Sequence, residues 1–128
     1  MRRLLACVLG VGLAAGAFAP AAQAGPTYDA WVGRLGFGPS REGSQGAGWE
    51  AVFREHRHGR VRYRVCLRHL ESPVSRCWGR RTPQSGISRV LVAMFVNDQG
   101  GPGPWRATWV VNGRTVKTWR FRVRSEGV

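Results

Sequence analysis

Apolar and polar residues alternate at every second position in much of this chain, which is the period of a β-strand with one buried face. Segments of this kind, separated by Gly, Pro, Asn and Ser, predict seven strands. The strands span residues 31–37, 49–56, 61–69, 74–80, 87–96, 105–111 and 114–124. Seven short strands without a helical repeat predict an all-β fold, an antiparallel β-sandwich around one core.

Two of these strands depend on more than alternation. Residues 49–56 fit a helical stripe as well as a strand face, and the strand is favoured because a clear strand follows. Residues 87–96 are apolar on both faces from Val90 onward, which is typical of a central strand covered on both sides. The Gly-rich residues 39–48 and 97–104 are predicted to be loops, the first of them outside the core.

The last two strands are predicted to form a hairpin around Asn112-Gly113, because both residues tolerate the positive φ of a tight turn. A two-residue loop would place Trp105 opposite Arg120 and turn the two apolar faces apart. A three-residue loop that adds Val111 pairs Trp105 with Trp119 and keeps the apolar faces together. We therefore expect the three-residue loop, since a slip of one residue would expose a whole face.

A second hairpin is predicted between residues 61–69 and 74–80, and it carries two cysteines. A register centred near Glu71 places Cys66 opposite Cys77 on the outer face and Val65 opposite Trp78 on the apolar face. Constraints from opposite faces thus select the same register. We expect a cross-strand disulfide that closes a loop of about 12 residues and stabilises the fold by roughly 3 kcal/mol.

The first residues predict export. Two arginines precede an apolar run over residues 4–19, and Ala22-Gln23-Ala24 follows as a small-x-small cleavage pattern. We expect residues 1–24 to be a secretory signal peptide and residues 25–128 to be a single secreted domain; an uncleaved anchor is the alternative. Cleavage would also remove Cys7 and leave two cysteines, an even number, as is typical of an exported disulfide protein.

The mature domain would be strongly basic, with 18 basic against 7 acidic residues and a net charge of +11. Of the 20 basic residues, 19 are Arg, which a GC-rich genome would also produce. The alternative is selection for anionic polymers such as those of the cell envelope. On the last hairpin, Arg106, Arg120 and Arg122 occupy the solvated face and are the candidate contact residues. Nucleic acid is not an expected partner, because the tryptophans are predicted to be core and export removes most such ligands.

Candidate chemistry is sparse. His56, His58 and His69 are the three histidines and could form a metal site, but the neighbouring arginines would repel a cation, so we expect no metal. We recognise no carboxylate pair, nucleophile turn or phosphate-binding Gly loop, so we expect neither an enzyme nor a cofactor.

Residues 105–123 follow the pattern W-x-A-x-W-x-V-N-G-x-x-V-x-x-W-x-F-x-V. This pattern resembles the last two strands of secreted bacterial immunoglobulin-like domains over about 20 residues. The resemblance implies an immunoglobulin-like sandwich. The predicted bridge departs from that family, in which one disulfide spans the two sheets.

These observations predict a small secreted non-catalytic protein that binds an extracellular partner, with anionic envelope polymers as the expected ligand. The alternative is a secreted inhibitor of a protease or other enzyme that presents the loop of residues 97–104.

Overall fold

The computed structural model describes residues 28–56 and 60–125, and the predicted signal peptide lies outside them. The described chain forms nine strands and one π-helical turn, Phe95–Gly100. The strands are β1 (Tyr28–Arg34), β2 (Gly38–Pro39), β3 (Glu42–Ser44), β4 (Trp49–Glu55), β5 (Arg62–His69), β6 (Ser75–Arg81), β7 (Ile87–Leu91), β8 (Gly103–Val111) and β9 (Arg114–Arg124).

The strands form the two layers of a β-sandwich, as the alternation predicts. One sheet has four strands in the order β2-β1-β4-β7, and the other has five in the order β3-β9-β8-β5-β6. The apolar faces of both sheets meet in one core, where Trp49, Trp105 and Trp109 are fully buried. Trp31 differs from the other tryptophans in its placement, because its position in β1 lies on the outer face of the four-stranded sheet, opposite Val52.

The cysteine hairpin has the predicted register. Cys66 stands opposite Cys77 and Val65 opposite Trp78 in the β5–β6 pair, and the two sulfurs form a disulfide. Cys77 is exposed and Cys66 is partly exposed. The bridge therefore links neighbouring strands of one sheet on its outer face.

The β8–β9 hairpin corrects the predicted register. Trp105 stands opposite Phe121 and Ala107 opposite Trp119, so the predicted pairing of Trp105 with Trp119 is wrong by two residues. The loop contains only Asn112-Gly113, whose φ angles of 51° and 77° both lie in the left-handed region. A bulge near Val116 then shifts the register by one residue, so the apolar faces coincide as expected although the loop is even.

The predicted central strand 87–96 is also corrected. The strand β7 ends at Leu91 and lies at the edge of its sheet. The apolar residues beyond it enter the core from a different element: Val96 is fully buried in the helical turn. A continuous apolar run is compatible with both an edge strand and a buried turn, and alternation cannot separate them.

Residues 39–48, predicted to be a loop outside the core, contain the short strand β3 and a buried glycine. The β3 strand runs parallel to β9, so the five-stranded sheet is mixed rather than purely antiparallel. A Cβ at Gly43 would lie 2.8 Å from the indole ring of Trp49. The absence of a side chain at Gly43 thus allows this segment to close over the core.

Candidate anion-binding surface

The outer face of the five-stranded sheet carries a row of arginines on three adjacent strands. Arg68 of β5 stands opposite Arg106 of β8, and Arg106 stands opposite Arg120 of β9. The Cβ atoms of directly opposed residues on one face lie only about 5 Å apart. The fold therefore concentrates positive charge that is spread widely along the sequence.

Arg122 extends this row along β9. It lies on the same face as Arg120, opposite Pro104 on one side and Glu42 on the other. The predicted contact residues Arg106, Arg120 and Arg122 therefore share one face. We call the four residues Arg68, Arg106, Arg120 and Arg122 the arginine band.

Arg68 and a fifth arginine were not among the predicted contact residues. The alternation of residues 61–69 places Arg68 on the outer face, but only the strand order β9-β8-β5 brings it beside Arg106. The fifth residue, Arg41, precedes β3 and stacks on the indole of Trp119, with its guanidinium carbon 3.8 Å from the ring centroid. It also donates a hydrogen bond of 3.2 Å from Nη1 to the backbone oxygen of Arg120.

A shallow cleft of about 230 Å³ lies beside the band. Its walls combine apolar and cationic residues, namely Arg41, Leu70, Pro104, Trp105, Arg120, Phe121 and Arg122. The stacking on Trp119 and the hydrogen bond hold Arg41 in position before a ligand arrives. The cleft can therefore accept an anionic group without first ordering that long side chain.

Acidic groups lie at the margins of this face. Glu42, at the β3 edge, forms an ion pair of 3.4 Å with Arg124. Two further ion pairs join Arg54 to Asp29 and Arg89 to Glu50, both in the four-stranded sheet. None of these three pairs involves the arginine band, so its charge stays available to a ligand.

A second basic area lies at the opposite end of the same sheet. Arg62 stands opposite Arg81, and a wide groove of about 400 Å³ is lined by Arg62, Tyr63, Gly79, Arg80 and Arg81. This groove is also lined by arginines, but none of its lining arginines stacks on an indole as Arg41 does.

The histidines occupy different places in the described fold. Both ring nitrogens of buried His69 are engaged: Nδ1 accepts a hydrogen bond of 3.1 Å from the Glu71 amide, and Nε2 lies 2.8 Å from the Pro102 oxygen. His56 follows β4 at the opposite end of the sandwich, about 23 Å away along the eight residues of β5. His58 lies outside the described residues, and the remaining two histidines do not converge.

One buried hydroxyl pair lies inside the sandwich. The Tyr63 and Ser88 hydroxyl oxygens are 2.6 Å apart. Burial raises the pKa of the Tyr63 phenol above its ordinary 10.0, against opposing effects of the Ser88 hydrogen bond and the Arg80 charge. The phenol is therefore neutral at ordinary pH and contributes to packing.

Residues 97–104, predicted to be an exposed loop, are tied to the core. The helical turn includes Gly100, and a Cβ there would lie 2.1 Å from the Trp105 ring. The Trp105 indole donates a 2.9 Å hydrogen bond to the Gly101 oxygen, and Asn97 donates one of 3.2 Å to the Ala47 oxygen. The segment is therefore held against the core, and enzyme inhibition stays a prediction.

No protein-family model matches this chain, and no curated protein is significantly similar to it. No helix in the described part of the chain is long and apolar enough to cross a membrane.

Proposed function

We propose that this protein is a secreted, non-catalytic binding module whose arginine band holds anionic polymers of the cell envelope. The single observation that carries the proposal is the register that places Arg68, Arg106 and Arg120 side by side on adjacent strands. A polymer with repeated anionic groups can contact all three by crossing the strands.

The energetics of the sheet support this role. Like charges directly opposite each other in a sheet are destabilising, and each arginine also restricts its neighbours' rotamers. Arg106 has such a neighbour on each side. A bound polyanion replaces this repulsion by attraction, so the arrangement is favourable in the complex rather than in the free protein.

Two features support an extracellular location. The first residues have the three regions of a signal peptide, and Cys66 and Cys77 form a disulfide. Disulfides persist mainly in oxidising compartments. Envelope polymers are the abundant polyanions that an exported bacterial protein would meet.

We also infer that the sandwich is immunoglobulin-like. In support, β1, β4 and β7 are neighbours in one sheet, while β9, β8, β5 and β6 are neighbours in the other, an order like that of the A-B-E and G-F-C-C′ strands. The disulfide departs from that family because it joins adjacent strands within one sheet.

The test is co-sedimentation of the mature protein with purified cell wall over a range of salt concentrations. We expect binding at low salt that weakens steeply as salt rises, because the contacts are exposed and electrostatic. Replacement of Arg106, Arg120 and Arg122 by Gln should reduce low-salt binding at least about tenfold.

The matched control replaces Arg62, Arg64 and Arg81 by Gln. These exposed residues lie on the same sheet, and their replacement removes the same net charge. The control should bind nearly as well as the unmodified protein. Equal losses of binding in the two variants would show that net charge acts without a defined site. Cell-wall binding that stays constant as salt rises would contradict the electrostatic mechanism.

A further inference from the structure

A different surface of the molecule exposes large apolar side chains. Within residues 28–56 and 60–125, the exposed large hydrophobic residues are Leu35 (57%), Phe37 (74%), Leu91 (64%) and Met94 (76%). Single exposed apolar residues are common, but a cluster of them marks an interaction surface.

The four side chains lie at one end of the four-stranded sheet. Leu91 stands opposite Glu50, which stands opposite Gly33, so these residues define one row across three strands. Leu35 is two residues beyond Gly33, and its amide donates a 2.7 Å hydrogen bond to the Gly48 oxygen. With strands about 4.8 Å apart, the Cα atoms of Leu91 and Leu35 lie roughly 12 Å from each other.

The other two residues extend from turns at the same end. Phe37 lies in the turn between β1 and β2, where its amide donates a 2.8 Å hydrogen bond to the Arg34 oxygen. Met94 follows Val92, whose amide donates a 3.0 Å hydrogen bond to the oxygen of Trp49 at the start of β4. We call Leu35, Phe37, Leu91 and Met94 the apolar tip.

Arg34 is a charged residue in direct contact with the apolar tip. The guanidinium of Arg34 lies over the Phe37 ring, 4.8 Å from its centroid. Glu50, in the row between Gly33 and Leu91, is 2% exposed, and its carboxylate forms an ion pair of 2.8 Å with Arg89. Asp98, in the nearby helical turn, is an exposed carboxylate at this end. Exposed apolar residues beside an arginine are suited to a partner surface in which a layer of anionic groups covers an apolar layer.

We propose that the apolar tip inserts into the headgroup region of an anionic lipid bilayer, with Arg34 at the lipid phosphates. Charge decides between this occupant and a second copy of the chain. Two copies, each with 18 basic and 7 acidic residues in the mature domain, repel each other, whereas an anionic bilayer attracts this domain. The surface is separate from the arginine band, so the proposal does not depend on polymer binding.

The experiment measures sedimentation with vesicles of phosphatidylcholine alone or with added phosphatidylserine, at low and at high salt. We expect binding to the anionic vesicles that is partly retained at high salt, because inserted apolar groups are not screened. Replacement of Phe37 and Met94 by Ser should reduce the retained binding at least about tenfold. Both residues are more than 70% exposed, so the variant should fold, and near-ultraviolet circular dichroism checks this.

The matched control is the variant with Gln at Arg106, Arg120 and Arg122, which should keep the salt-resistant part of binding. The tryptophan fluorescence of a Phe37→Trp variant should also be quenched by brominated lipid more than that of the unmodified protein. Loss of all vesicle binding at high salt would overturn the proposal, as would equal binding by the Ser variant. A dimer in sedimentation equilibrium that the Ser substitutions dissociate would assign the apolar tip to self-association instead.

Discussion

Replacement of Arg106 by Glu should stabilise the free protein while weakening its binding to polyanions. Arg106 is flanked by Arg68 and Arg120 at directly opposed positions. Each neighbour changes from a repelling to an attracting partner when Glu replaces Arg. The proposal thus predicts opposite effects of one substitution on stability and on binding.

The magnitude follows from the geometry of the sheet. Two unit charges about 6 Å apart in water interact by about 0.7 kcal/mol. Exposed cross-strand pairs contribute about 0.2–1 kcal/mol each. Arg106→Glu removes one such repulsion and adds one such attraction at each of its two partners, so we expect it to raise the free energy of unfolding by about 1–3 kcal/mol at low salt.

Urea denaturation at low and high salt measures this effect. The screening length falls to about 3 Å at 1 M salt, so the gain in stability should disappear there. Arg106→Lys keeps the charge and should leave stability nearly unchanged. Arg114→Glu makes the same change in net charge at a position opposite Val111, so it controls for the general reduction of positive charge.

Two results would contradict this prediction. Arg106→Glu could be less stable than the unmodified protein at low salt, which would mean that the arginines do not repel each other across the strands. Alternatively, Arg106→Glu and Arg114→Glu could give equal gains, which would assign the effect to net charge rather than to the row.

Three further predictions concern the fold. Replacing Cys66 and Cys77 by Ser should lower the free energy of unfolding by about 3 kcal/mol in urea denaturation, since the bridge closes a loop between residues 11 positions apart. Gly100→Ala places a Cβ 2.1 Å from a buried indole and should cost about 1–3 kcal/mol, whereas Gly79→Ala, with no atom within 4 Å, should be neutral or slightly stabilising in thermal unfolding. Burial raises the pKa of Tyr63 above 10.0, so the unfolded chain loses this proton first and stability falls as pH rises above about 10; Tyr63→Phe should flatten that alkaline slope in urea denaturation.

The layered fold and the cysteine hairpin could be predicted because they depend on local alternation. A period of two assigns each residue of β5 and β6 to a face, and the positions of Cys66 and Val65 then select one register. The register of the β8–β9 hairpin was harder to predict, since a loop of two residues with a bulge and a loop of three residues both keep the apolar faces together. Alternation detects the face of a residue but not its partner, which explains the error at Trp105.

The candidate surface was predictable only in part for the same reason. Arg106, Arg120 and Arg122 belong to one hairpin and could be assigned to one face. The proximity of Arg68 depends on the order of strands distant in sequence, and the position of Arg41 depends on a segment that crosses between the sheets. Long-range placement of this kind leaves no periodic signal in the chain.

The outermost strand β6 has a consequence for how copies of the molecule meet. In the described part of the chain, no further strand pairs with the outer edge of β6, where Arg76, Arg80 and Arg81 are exposed. Charged side chains at such a margin oppose the strand-by-strand joining of molecules that leads to fibrils. Neutralisation of these cations by bound polyanion removes that protection, so aggregation should be strongest where polymer and protein charges balance.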